Sequence, residues 1–126
     1  MSGPKIVGDY LVNKDTSVLF ELAKSSNLWE RRIAILATFK FIANNDFEDA
    51  LSISELLLND EHDLIHKAVG WALREIGKRD QEIEERFLKK HHIEMPRTML
   101  RYAIEKFADN KRKFYLSRKP KIILDS

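Results

Sequence analysis

Lys67, Trp71, Arg74 and Lys78 stand at i, i+4, i+7 and i+11, so at about 100° per residue they share one stripe of a helix. Cations at that spacing suit phosphates, and an indole between them can stack on a base or pack on a sugar. A tryptophan tucked under a neighbouring helix, with its cations solvated, fits the same pattern. Gly70 precedes this tryptophan. It costs about 1 kcal/mol of helix propensity relative to Ala, which points to close approach by a backbone or a ligand. Arg31 and Arg32 open another helix, where cations oppose the macrodipole by tenths of a kcal/mol. A bound phosphate would remove that cost, and Glu30 is the alternative partner. Arg97 and Arg101 share a face at i, i+4, with Lys111, Arg112 and Lys113 beyond them. Together these residues form a basic track; singly, each is an ordinary surface residue.

Other chemistry is scarcer. His62 and His66 place two imidazoles one turn apart with Asp63 between them, a spacing that can hold a metal. No third ligand is evident, because His91 and His92 belong to a different helix end, so no metal site is expected. The chain has no cysteine, which excludes disulfides, thiolate catalysis and zinc–thiolate sites. It has no Gly-rich phosphate loop and no Gly-x-Ser-x-Gly elbow, and no cofactor is expected. No pair of carboxylates is distinguished by an apolar setting, so any acid would come from the common surface pool. These residues favour binding over bond-breaking.

The elements that must carry them are helical. The hydrophobic period fits helices over Asp15 or Thr16 to Ala23, Leu28 to Ala43, Phe47 to Leu58, His62 to Lys78, Asp80 to Lys90, Pro96 to Phe107 and Asp109 to Ser117. A short segment from Pro4 to Asn13 precedes them, and 118–126 reads as a tail of a single domain spanning 1–126. Gly77 is expected to fray the end of its helix. The helix from Leu28 is apolar around most of its circumference (Ile33, Ala34, Ile35, Leu36, Phe39), as a central buried helix is. Short loops make successive helices antiparallel. From Arg32 to Lys67 is 35 residues and from Lys67 to Arg101 is 34, a step that suits three HEAT-like helical pairs, at 28–58, 62–90 and 96–117. The predicted fold is therefore all-α, an α-α superhelix, with a simple helical bundle as the alternative.

Composition sets the boundaries. The chain of 126 residues, 44% hydrophobic and 33% charged, has the make-up of a soluble globular domain. It lacks an apolar run long enough for a membrane span and a signal-peptide pattern, and a cytoplasmic location is expected. Residues 1–63 hold 6 Lys and Arg against 11 Asp and Glu, whereas 64–126 hold 16 against 9. The basic half suits an anionic partner, either nucleic acid or an acidic protein bound by a helical-repeat interaction domain.

Three stretches carry a family resemblance. Asn27-Leu-Trp-Glu-Arg-Arg-Ile-Ala-Ile35 and Asp63-Leu-Ile-His-Lys-Ala-Val-Gly-Trp-Ala-Leu-Arg-Glu-Ile-Gly-Lys78 resemble the AlkD-like DNA alkylation repair proteins, and Met95-Pro-Arg-Thr-Met-Leu-Arg-Tyr-Ala-Ile-Glu-Lys106 resembles their final repeat. The resemblance implies a HEAT-like solenoid whose concave basic face grips alkylated duplex DNA. It implies hydrolysis of the N-glycosidic bond of N3- or N7-alkylated purines without base flipping. It assigns Arg32 to a phosphate, Trp71 to the sugar of the lesion and Trp29 to a structural role. The family's aspartate and a further tryptophan lie just before the segment resembling Pro4 to Leu11, and Asp9 and Asp15 match that aspartate poorly. The expectation is a DNA-binding C-terminal part of a glycosylase, without a catalytic acid and inactive alone. An uncapped solenoid end bearing Ile6, Val7, Tyr10, Leu11, Val18, Leu19 and Phe20 is expected to drive a two-fold dimer.

Overall fold

A computed structural model of the protein describes residues 16–117. The described residues form helices and turns with no strand: α1 (Thr16–Ala23), α2 (Leu28–Ala37), α3 (Phe39–Ala43), α4 (Glu48–Leu56), α5 (Asp63–Arg79), α6 (Gln81–His91), α7 (Arg97–Ala103) and α8 (Asp109–Ser117). The segment from Pro4 to Asn13 and the tail lie outside the described residues.

Caps start the helices where short polar side chains can reach free amides. Asn27 Oδ1 accepts the amides of Trp29 at 2.8 Å and Glu30 at 3.2 Å. Asp80 Oδ1 accepts the amide of Ile83 at 3.3 Å, ending α5 and opening α6. The helix expected to run unbroken from Leu28 to Ala43 is divided at Thr38. That buried side chain donates its hydroxyl to the Ile35 carbonyl at 2.6 Å, and such back-bonding competes with the helical ladder. The helix expected to reach Phe107 ends at Ala103, and Pro96 caps it from outside instead of forming its first turn. Gly77 does not fray α5, which continues to Arg79. It leaves room for the Glu84 side chain, which a Cβ at that position would strike.

The helices stack as an α-α superhelix around α5, which packs against α2, α4, α6 and α7. The step of about 35 residues carries α2 onto α5 and α5 onto α7, and each of those pairs is in contact. Ile65, Val69, Ala72, Leu73 and Ile76 of α5 are wholly buried, so the face opposite them is left free. Gly70 permits a close approach of two helices: a Cβ there would lie 2.6 Å from the Met99 carbonyl oxygen of α7 and 2.5 Å from Tyr102 Cβ. The ambiguity between backbone and ligand is thus resolved in favour of a helix backbone. At the other end Val18 is 56% exposed, while Leu19 and Phe20 pack against the core. Ile6, Val7, Tyr10 and Leu11 lie outside the described residues. No helix among the described residues is long and apolar enough to cross a membrane.

Candidate nucleic-acid interface

The free face of α5 carries the row read from the spacing. Lys67 and Lys78 are exposed, Arg74 is partly so, and Trp71 keeps 42% of its surface open. Trp71 is not tucked under a helix. Its ring meets the Phe39 ring of α3 edge-on, with centroids 4.8 Å apart and planes at 70°. The indole is thereby steadied while 42% of its surface stays open.

Each cation of the row has an acid beside it. Lys67 pairs with Asp63 at 3.3 Å, Lys78 with Glu75 at 3.3 Å, and Arg74 reaches across to Glu105 beyond α7. The exposed lysine pairs contribute little to stability and exchange readily with solvent or with another anion, whereas the Arg74 side chain is only 20% exposed. On α2 the two adjacent arginines part company. Arg31 donates to Asp60 at 2.6 Å and to the Ser25 carbonyl at 3.1 Å, so it ties α2 to the turn before α5. Arg32 carries no ion pair or hydrogen bond among the described residues, and its Nε is buried without a partner. Glu30, its nearest candidate acid in sequence, instead accepts the Ser25 hydroxyl at 2.6 Å.

The remaining basic residues divide in the same way. Arg101 is exposed and, with Tyr102 and Glu105, lines a cleft of about 450 Å³ next to the Arg74 pair. Arg97 donates to the Leu116 carbonyl at 3.0 Å and so spends a hydrogen bond on the end of α8. Lys111 reaches Glu85, and Arg112 pairs with Asp109 at 2.6 Å within α8. Lys67, Trp71, Arg74 and Lys78 therefore share one helix face, Arg32 and Arg101 stand on the two helices α2 and α7 that pack against α5, and Arg97 is turned to α8.

His62 and His66 have local work. His62 Nδ1 accepts the Leu64 amide at 3.3 Å as the cap of α5, and the His66 ring bonds the Asp60 carbonyl. Among the described residues no three metal-ligating side chains come together. Two features run against the sequence reading. The first is Trp29, assigned a structural role by resemblance, whose ring is 58% exposed. Ile33, expected inside a buried helix, is 53% exposed one turn further along.

The second is a pair of adjacent carboxylates with opposite surroundings. Glu84 is buried, and burial, reinforced by the charge of Glu85 and only partly offset by Arg74, pushes its carboxyl up to about 9. Burial would push Glu85 up as well. Hydrogen bonds from Lys111, Tyr115 and Gln81, together with the Lys111 charge, overcome it and hold that carboxyl at about 2. Tyr115 donates to Glu85 at 2.6 Å, and burial followed by this bond pushes its phenol above the usual tyrosine range. The sequence does contain a signal for Glu84: Phe87, Leu88 and His91 follow at i+3, i+4 and i+7, on the same inward face. Glu84 lies behind the α5 row and offers no carboxylate to its open side.

A protein-family model described as DNA alkylation repair enzyme matches residues 2–107, a span that includes α1 to α7 and the whole row on α5. No curated protein and no solved structure matches the chain.

Proposed function

The chain belongs to the DNA alkylation repair enzyme family, and from that premise we propose that its open face binds alkylated duplex DNA. The reading is that of a base-excision glycosylase acting on N3- and N7-alkylated purines, in which these residues bind and position the substrate. The observation that carries it is the solvent-facing row of Lys67, Trp71, Arg74 and Lys78, with unpaired Arg32 alongside. Phosphates would replace the weak intramolecular partners of the lysines and the Glu105 partner of Arg74, releasing counterions as they do so. Trp71 would turn its open π-face to the cationic lesion and its sugar. Such a contact contributes about 0.5–2 kcal/mol, or roughly one order of magnitude in rate.

Cleavage also calls for a carboxylate that faces the developing oxocarbenium ion and positions water. The acids beside the row, Asp63, Glu75 and Glu105, are each ion-paired to one of its cations. Phosphates that take those cations would release these acids into water, Asp63 and Glu105 being more than half exposed. No apolar setting then holds a carboxylate against the lesion, so the chain is proposed to bind duplex DNA with little or no excision. Binding to a duplex carrying 7-methylguanine should weaken as salt rises, with a log–log slope near −0.9 for each phosphate held. Release of 7-methylguanine by this chain should stay near background. Flat, salt-independent or absent binding would favour an acidic protein partner instead, and robust release would mean that one of these acids performs the chemistry.

A further inference from the structure

Trp29, Arg32 and Ile33 stand at i, i+3 and i+4 on α2, so they share one helix face. The opposite face holds buried Ala34 and Ile35. Two large apolar side chains thus flank a cation that has no partner among the described residues, and each keeps more than half of its surface open. Asn27 fixes the turn that carries Trp29 by accepting the amide of Trp29 itself, so the indole projects from an anchored position. Phe39, in the segment that follows, touches Trp71. α2 itself packs against α5, the helix that carries the row.

We infer that Trp29, supported by Ile33, is a second aromatic contact for duplex DNA, packing on deoxyribose and base edges beside the phosphate held by Arg32. The inference rests on the reading that the open face binds DNA. Charge selects this occupant. A contact of the α2 face with its own copy would bring one unpaired Arg32 towards the other, whereas a phosphate backbone supplies both an anion for Arg32 and an apolar sugar surface for the indole. Apolar side chains pack between or against base steps at duplex surfaces while neighbouring cations hold phosphates.

The chain has two tryptophans, so each can be observed alone. Trp71→Phe leaves Trp29 as the sole indole emitter, and Trp29→Phe leaves Trp71. Each full-length variant is titrated to saturation with an unmodified duplex oligonucleotide at low salt, with anisotropy of the labelled duplex reporting binding independently. The expected result is that DNA changes Trp29 emission and lowers its acrylamide quenching constant at least about twofold. Trp29→Ala should weaken binding about tenfold with the salt slope unchanged, because the indole holds no phosphate, whereas Arg32→Ala should reduce that slope by about 1. Bound DNA that protects Trp71 but leaves Trp29 open overturns this inference and spares the DNA reading. Absent duplex binding overturns both. Protection of Trp29 without DNA, rising with protein concentration, assigns the face to a second copy. Protection without DNA that is independent of concentration assigns it to the chain's own residues. Either of those results overturns the inference.

Discussion

At the scale of single residues, Glu84 shows how the fold handles a charge placed where water is scarce. Glu84 avoids the cost by staying protonated, because burial disfavours the carboxylate and Glu85 adds its own charge against it. Its folded value of about 9 lies above the ordinary 4.5, so the unfolded chain gives up this proton first as pH rises. The stability Glu84 confers is fully present below about 4.5 and is lost as pH climbs through about 9, with a limiting slope of about 1.4 kcal/mol per pH unit between them. Glu84→Gln keeps the shape and removes the titration. Its stability relative to the wild type should therefore grow steadily between about pH 5 and about pH 9. Urea unfolding at several pH values checks this, and parallel curves for the two proteins would show that Glu84 is ionised in the fold.

Single glycines decide the spacing of the elements. Gly70 lets the α7 backbone come so close to α5 that an added methyl group would press on the Met99 carbonyl and on Tyr102 Cβ. Ala at this position would gain about 1 kcal/mol of helix propensity but would force two backbones apart, a strain of about 1–3 kcal/mol or more. Gly70→Ala is expected to lower the melting temperature by several degrees, and because α5 and α7 must separate, to weaken duplex binding by moving Arg101 relative to Arg74. A melt together with the same anisotropy titration checks both effects; a stabilised protein would show that α7 yields at no cost. At the other end of the fold, Glu85 gathers Gln81, Lys111 and Tyr115, so that α8 is attached to α6 by a partly buried polar clasp. Phe107 and Tyr115 pack at the same junction.

Over the whole molecule, α5 packs against both α2 and α7, so the helices that carry Arg32, the α5 row and Arg101 are direct neighbours. That arrangement favours long-range attraction of a polyanion, which salt screens over about 8–10 Å. The end formed by α1 has a different character. Val18 is open there, and the first 63 residues carry an excess of acid. We propose a two-fold contact through this end, centred on exposed Val18. Light scattering should show a dimer that grows with protein concentration and is weakened by Val18→Lys. A monomer at all concentrations would count against the contact and leave the basic row untouched, since Lys67, Trp71, Arg74 and Lys78 lie on α5.

The helical period by itself determined the all-α fold, the order of the helices, the repeat step and the row on α5. These follow from local spacing: residues three and four apart share a face whatever the rest of the chain does. The same spacing could not settle whether Trp71 was open or covered, because both outcomes present one identical pattern. Only the contact with Phe39, about 110 Å of fully extended chain away but adjacent in the fold, together with the open part of its surface, decided that it is steadied and open. Which arginine of the Arg31–Arg32 pair is held depended on Asp60, 29 residues on from Arg31. The exposure of Trp29 and Ile33 depended on which helices stack on α2, and the neutral state of Glu84 on Gly77 and the packing of α6 against α5. Local geometry places side chains on faces; only the stacking of helices decides which faces water, or a ligand, can reach.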